Sequence, residues 1–163
     1  MSTILGIISD THGNIPACRL ALKIFQEHGV QEILHCGDVG TVEIVEILSA
    51  LPTHYVFGNT DSRGWIRRAI LDCGQTCYES VGMMAREGRQ IAFLHGDDWR
   101  TFDDLLHCGR FDLICCGHTH EYEWRIEGEK THVLNPGALY RTKSPSVAMV
   151  ELPSLRVRKE SVR

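Results

Sequence analysis

The N-terminal part of the chain alternates short apolar runs with segments of helical period. Three β-branched, apolar runs have the pattern of buried strands: Thr3–Ser9, Ile33–Cys36 and His54–Phe57. The first helical segment begins after Asn14, a favourable N-cap residue, and ends at Gly29. The second spans Val42–Leu51 and ends before Pro52. This order of strands and helices predicts a parallel sheet with helices on its faces.

The pattern changes in the second half, where strand-like runs follow one another with few helical segments between them. The predicted strands are Thr76–Glu79, Gly82–Arg86, Gln90–Leu94, Leu113–Cys116, Glu121–Ile126, Thr131–Leu134, Ser146–Glu151 and Leu155–Lys159. One helix is predicted over Thr101–Cys108. Polar turns such as EGEK join neighbouring runs, so we expect a second sheet that is largely antiparallel. The whole pattern predicts one α/β domain over residues 1–163, with two packed sheets between outer helices.

Composition narrows the class of protein. The chain of 163 residues has a formal net charge of −4, which gives no electrostatic reason to bind nucleic acid or anionic lipid. Its apolar runs are too short to span a membrane, and its N-terminus lacks the pattern of a secretory signal. Seven cysteines without framework spacing argue against a disulfide-bonded secreted protein. We therefore expect a cytoplasmic protein.

Clusters of polar residues follow five of the predicted strands. They read DTH at 10–12, GDVG at 37–40, GNTD at 58–61, HG at 95–96 and GHTH at 117–120. Because ligands of α/β sheets bind at the carboxyl ends of the strands, we expect these side chains on one rim. That rim would hold seven side chains with oxygen or nitrogen donors: Asp10, His12, Asp38, Asn59, His95, His118 and His120.

This donor set indicates a metal centre, although each motif alone is more typical of a turn or a helix cap. Carboxylate, amide and imidazole groups suit divalent transition-metal ions, with manganese as the first choice and nickel, iron, cobalt or zinc as alternatives. Asp38 is the candidate carboxylate to bridge two ions. The other histidines lack such neighbours and are interpreted as structural: His28, His35, His54, His107 and His132.

Taken in order, the motifs resemble those of the calcineurin-like metallophosphoesterase family, and the chain length is similar to that of its compact YfcE-like phosphodiesterases. The matching segments read SDTHGN, CGDVG, FGNTD, LHGDD, CGHTH and NPGAL, within a resemblance that extends from Ile4 to Val150. The resemblance implies a two-sheet αββα sandwich. It also implies a hydrolase with two divalent transition-metal ions, which cleaves a small phosphodiester by attack of a metal-bridging hydroxide.

The resemblance also implies a role for each matching position. One ion would be held by Asp10, His12, Asp38 and His120, and the other by Asp38, Asn59, His95 and His118. The candidate catalytic residues are Asp38, Asn59, Thr60, Asp61 and His95. Thr60 replaces the histidine of many larger members, and Asp97 replaces a histidine that is frequent in compact members. We interpret Asp97 as a turn or N-cap residue ahead of the Thr101–Cys108 helix.

Other functions stay open at this point. A phosphomonoesterase would use the same metal centre, and a protein-interaction scaffold would use the same fold without catalysis. The presence of every ligand type disfavours the scaffold. A nuclease stays open because Arg63, Arg67 and Arg68 follow the third motif, although an exposed helix face is the simpler interpretation. The sequence does not distinguish a monomer from a homo-oligomer.

Overall fold

The computed structural model describes residues 2–163. The strands are β1 (Thr3–Ile8), β2 (Glu32–His35), β3 (Thr53–Tyr55), β4 (Thr76–Cys77), β5 (Val81–Arg86), β6 (Arg89–Leu94), β7 (Leu113–Cys115), β8 (Tyr122–Glu127), β9 (Thr131–Pro136), β10 (Ser146–Leu152) and β11 (Arg156–Ser161). The helices are α1 (Ile15–Glu27), α2 (Val42–Leu48), α3 (Arg63–Asp72) and α4 (Trp99–His107). Among the described residues, no helix combines the length and apolar character needed to cross a membrane.

Two mixed sheets pack against each other between layers of helices. The first sheet has the order β11–β10–β1–β2–β3–β4, and the second has the order β5–β6–β7–β9–β8. Strands β1 to β4 run parallel, which confirms the parallel sheet predicted from the first half of the chain. Helices α1 to α3 pack on the outer face of the first sheet, and α4 packs on the second. The fold is therefore the αββα sandwich that the family resemblance implied.

Two features of the topology differ from the prediction. The second sheet is not largely antiparallel, because β6–β7 and β7–β9 are parallel and only the pairs β5–β6 and β8–β9 are antiparallel. The reason is α4, which returns the chain from the end of β6 to the start of β7, as a parallel crossover requires. In addition, the final hairpin joins the first sheet, where β10 pairs with β1.

The bounds of two helices also differ from those predicted from the sequence. Helix α3 occupies a stretch where the pattern predicted no bounded element, because only Ile66 and Ile70 form its buried face. Helix α4 begins at Trp99, and its N-cap is Asp98, whose side chain accepts from two backbone N–H groups of the first turn. Asp97 is therefore not the N-cap residue.

Burial on both faces holds β1 in place. Leu5 and Ile7 are fully buried between the sheets, in the same cluster as Phe93 of β6. Ile8 is buried on the opposite side, with Phe25 of α1. Each such side chain stabilises the fold by about 1.5–3 kcal/mol. The carboxyl end of β1 therefore cannot shift without moving both layers, and the loop that follows it starts from a fixed point.

Candidate metal centre

The five polar motifs meet at one edge of the sandwich. The first sheet contributes Asp10, His12, Asp38 and Asn59, and the second contributes His95, His118 and His120. Their strands are parallel within each sheet, so the carboxyl ends share an edge. Backbone hydrogen bonds join the loops, since Asp10 N–H donates to the Gly37 carbonyl and Gly117 N–H donates to the His95 carbonyl. The structure thus brings together all seven side chains predicted as ligands.

The carboxylate of Asp10 lies among three imidazoles. Its Oδ1 atom is 3.2 Å from Nε2 of His120, 3.7 Å from Nε2 of His12 and 4.0 Å from Nε2 of His95. Its Oδ2 atom accepts a hydrogen bond of 3.0 Å from the backbone N–H of His118. Oδ2 is therefore held by the protein, whereas Oδ1 faces the centre of the cluster.

Asp38 lies between two histidines that come from different sheets. Its Oδ2 atom is 3.4 Å from Nε2 of His12 and 3.3 Å from Nε2 of His95. Its Oδ1 atom accepts a 3.0 Å hydrogen bond from the backbone N–H of Thr60. Burial alone would raise the pKa of Asp38, but hydrogen bonds from His95 and Thr60 outweigh it and hold the pKa well below its usual range. Asp38 is thus a carboxylate anion in a position suited to bridging.

His95 is oriented from both ends of its ring. Its Nδ1 atom is 2.8 Å from the carbonyl oxygen of Cys36, which can only accept, so Nδ1 carries a proton and Nε2 faces the cluster. Nε2 is 3.1 Å from Oδ1 of Asn59. Burial opposes a positive ring, but the hydrogen bond to Asp38 and the charge of Asp10 outweigh it and raise the pKa of His95 to about 9. The position therefore favours positive charge, and a metal ion at Nε2 would displace the second proton.

Two polar atoms of the cluster are buried without a hydrogen-bond partner, namely Oδ1 of Asp10 and Nε2 of His12. Buried polar atoms are nearly always paired, and leaving a carboxylate oxygen unpaired is costly. One divalent cation would satisfy both atoms. Two sets of donor atoms are close enough to hold an ion: Asp10, His12 and His120, and Asp10, Asp38 and His95. The residues present therefore fit a divalent metal.

The backbone of these loops adopts a conformation that is uncommon outside glycine. Five of the seven candidate ligands have positive φ angles: Asp10 (53°), His12 (42°), Asp38 (53°), His118 (69°) and His120 (62°). Strain of this kind persists only where the surrounding structure holds it, and it clusters at functional sites. Gly58 allows the close approach of two loops, because a Cβ atom there would lie 1.9 Å from Oδ1 of Asp38.

His35 connects two of the ligand-bearing loops, although the sequence suggested only a structural histidine. Its Nε2 atom is 3.0 Å from Oγ1 of Thr11, and its Nδ1 atom accepts a 3.2 Å hydrogen bond from the N–H of Gly37. Complete burial lowers the pKa of His35 to about 3, so the ring stays neutral. The one signal in the sequence is a histidine at the end of a buried strand, directly before the CGDVG motif.

Asp61 and Thr60, both predicted to be catalytic, differ in whether they face the cleft that lies over the ligand cluster. Asp61 accepts hydrogen bonds from the N–H groups of Gly40 (3.0 Å) and Gly58 (2.9 Å), one on each oxygen. Burial raises its pKa. The carboxylate of Asp61 therefore joins the loops after β2 and β3 and is not among the residues that line the cleft over the cluster. Thr60 does line that cleft.

The cleft over the cluster has a volume of about 420 Å³. It is lined by His12, Asp38, Asn59, Thr60, His118, His120, Tyr140 and Arg141. The last two residues were not predicted, because they follow the NPGAL segment and belong to no motif. Asp97 lines a neighbouring pocket that also includes His95.

Comparison with known proteins shows the protein family to which the chain is similar. The model of the calcineurin-like phosphoesterase superfamily domain matches residues 4–154. Phosphodiesterase MJ0936 of Methanocaldococcus jannaschii is 26% identical over 90% of this chain and 92% of its own length. The structure of an archaeal phosphodiesterase is similar with a TM-score of 0.89 and 24% identity, covering 98% of this chain and 99% of the other. YfcE, a phosphoesterase from E. coli, is similar with a TM-score of 0.69 and 20% identity over 99% and 100% of the two chains.

The chain belongs to the calcineurin-like phosphoesterase superfamily. This finding confirms the resemblance drawn from the order of the motifs, and the chain shares the fold of YfcE, after which the compact branch was named.

Replacing Gly58 with alanine should displace the carboxylate of Asp38, because the new Cβ would overlap Oδ1. We expect Gly58→Ala to weaken Mn²⁺ binding by about 10–100-fold, as measured by calorimetry, which is the usual effect of disturbing the groups that orient a ligand. Gly64→Ala is the matched control, since a Cβ at Gly64 meets open space. Equal affinity in the two variants would contradict this account of Gly58.

The neutral state of His35 predicts a loss of stability on acidification. Its pKa is about 3 in the folded protein but 6.5 without the fold. As the pH falls from 6.5 towards 3, the unfolded chain binds a proton that the folded protein does not, so the free energy of unfolding decreases. Urea unfolding of metal-free protein between about pH 6.5 and 5 should show a smaller decrease for His35→Gln. His107→Gln, at an exposed position of α4, should retain the wild-type slope, and a wild-type slope in both variants would refute the prediction.

Proposed function

We propose that this protein is a metal-dependent phosphodiesterase that hydrolyses a small phosphodiester at a binuclear centre. The observation that carries the proposal is the convergence of seven candidate ligands on one rim, with unpaired Oδ1 of Asp10 and Nε2 of His12 facing its centre. Membership of a phosphoesterase superfamily supports ester hydrolysis at that rim. The similarity to phosphodiesterase MJ0936 favours a diester over a monoester.

Two sets of ligands share Asp38 in this proposal. Asp10, His12, Asp38 and His120 hold one ion, and Asp38, Asn59, His95 and His118 hold the other. We propose manganese for both sites, with nickel, iron, cobalt or zinc as alternatives, because carboxylate and amide oxygens suit manganese and imidazole nitrogen suits the other ions as well. When bound, such ions polarise the phosphate ester and lower the pKa of water, which supplies the nucleophile.

The protein's own groups position the ester. Asn59 directs its Oδ1 atom towards His95, so its amide N–H groups are left to donate to a phosphate oxygen in the cleft. Thr60 can donate from its hydroxyl, but a hydroxyl is too weak an acid to protonate a leaving alkoxide near neutral pH. Esters with good leaving groups, such as aryl esters, are therefore the favoured substrates.

The substrate is small, and nucleic acid is not favoured. A cleft of about 420 Å³ suits a small ester. Of the three basic residues after the third motif, Arg67 pairs with Glu79 at 2.6 Å and Arg68 pairs with Asp72 at 2.8 Å, so the charges of these two are largely balanced. Arg63 lies over the ring of Phe57, and a single cation is a small footprint for a nucleic-acid backbone. The free cysteines, four of them buried, support a reducing compartment, and we place the protein in the cytoplasm.

A comparison of two chromogenic esters tests the proposed function. Protein stripped of metal and reloaded with Mn²⁺, Ni²⁺, Co²⁺, Fe²⁺ or Zn²⁺ should hydrolyse a nitrophenyl phosphodiester faster than the corresponding monoester, and stripped protein should be inactive. Faster turnover of the monoester by a wide margin would make the protein a phosphatase. Hydrolysis of neither ester with any ion would favour a non-catalytic scaffold.

Metal content tests which carboxylate is shared. After dialysis against Mn²⁺, Asp38→Ala should lose both ions, whereas His120→Ala and His118→Ala should each lose one, because only Asp38 belongs to both of the proposed ligand sets. The two groups of donor atoms that lie close together in the structure share Asp10 instead, so the same measurement is needed for Asp10→Ala. Asp97→Ala is the control, since Asp97 belongs to neither set and should retain both ions. The opposite result would assign the bridging role to Asp10: Asp10→Ala would lose both ions, and Asp38→Ala would retain one. Asp10 is the alternative because its Oδ1 atom lies near His12 of one proposed ligand set and near His95 of the other.

A further inference from the structure

Two residues of the cleft, Tyr140 and Arg141, belong to none of the motifs. They follow Leu139, whose N–H donates to the carbonyl of Asp10 at 3.2 Å and whose carbonyl accepts from the side chain of Asn14 at 2.8 Å. The segment is therefore fixed to the loop that carries Asp10 and His12. Its position relative to the ligand cluster is set by direct hydrogen bonds.

Tyr140 contacts both a candidate ligand and Arg141. The centroid of its ring is 5.0 Å from that of His12 and 5.3 Å from the guanidinium carbon of Arg141. A cation over an aromatic face is attracted to it, so this contact restricts the guanidinium. Arg141 also has a positive φ angle of 48°, like five of the candidate ligands. The strained backbone of the site thus extends to this residue.

Arg141 provides an unbalanced positive charge in the cleft. It is the one lysine or arginine among the described residues that line this cleft. The arginine ion pairs found within residues 2–163 involve other arginines and leave Arg141 unpaired. Its guanidinium presents a planar set of N–H donors that matches the oxygens of a phosphate group.

We propose that Arg141 binds the non-bridging oxygens of the substrate's phosphate, and that Tyr140 is a positioning residue for the guanidinium. The proposal rests on the proposed phosphodiesterase function. It has a consequence for substrate class. A monoester carries more negative charge than a diester, so the attraction to Arg141 is greater for the monoester. Removal of this charge should therefore shift the preference further towards diesters.

Charge removal without backbone strain is the direct test. Asparagine tolerates a positive φ angle, so Arg141→Asn removes the charge and leaves the loop intact. For the Mn²⁺-loaded protein and a nitrophenyl phosphodiester, we expect kcat/KM to fall by about 10–100-fold. The monoester should lose several-fold more. Arg141→Lys should be intermediate, because it keeps the charge without the planar fork. Lys143→Asn is the control, an exposed cation of the same loop outside the cleft lining, and should match wild type.

A second measurement does not depend on turnover. Calorimetry with inorganic phosphate should show weaker binding to Mn²⁺-loaded Arg141→Asn than to wild type or Lys143→Asn, with the same manganese content in all three proteins. Tyr140→Phe, which keeps the ring, should behave as wild type. Tyr140→Leu should weaken phosphate binding, and it should have little further effect in the Arg141→Asn background, because it acts through the guanidinium.

The outcomes separate the two proposals. Absence of diester hydrolysis by metal-loaded wild type would overturn the proposed function, while phosphate binding would still test Arg141. A different outcome would overturn only the role of Arg141. In that outcome the wild type hydrolyses the diester, but Arg141→Asn and Lys143→Asn have the same phosphate affinity and the same ratio of diester to monoester hydrolysis. The proposed phosphodiesterase function would then stand.

Discussion

The main physical constraint on this structure is that two carboxylates are buried at the edge of an apolar sandwich. Asp10 and Asp38 are only 0% and 3% exposed, and removing an ionised carboxylate from water is costly unless donors or opposite charge offset it. Backbone N–H groups of His118 and Thr60 supply part of that compensation. Oδ1 of Asp10 receives no hydrogen bond. The edge is therefore suited to binding positive charge, and the surrounding histidines are further candidate ligands for it.

The architecture provides the rigidity that such a concentration of charge needs. Exposed flexible loops would relax by moving the carboxylates apart and into water. Here β1 is fixed by packing on both faces, and the loops are joined by polar side chains that are not ligands themselves. His35 joins the loops after β1 and β2, and Asp61 joins the loops after β2 and β3. These contacts hold the positive φ angles that direct Asp10 and Asp38 towards one point.

The sequence predicted the rim more completely than it predicted the sheets, for a physical reason. Polar residues after apolar strands meet at one edge of a sheet whenever the strands of that sheet are parallel, whichever strands are neighbours. Strand pairing depends instead on contacts between distant segments, and no local feature of Ser146–Leu152 shows that it pairs with β1. His35, Tyr140 and Arg141 were not predicted to belong to the site because their contacts, with Thr11 and His12 among others, exist only in the folded chain.

In the proposed function, the cleft combines two kinds of positive charge with different origins. Without ions, the carboxylates of Asp10 and Asp38 would repel an anionic phosphate, so in the proposed function metal binding comes before substrate binding. The guanidinium of Arg141 is part of the chain and does not depend on the ions. It comes from the connection between β9 and β10, outside the strand ends that carry the ligands. Variation in that connection can change which ester is bound while the ligand cluster, held by both sheets, stays the same.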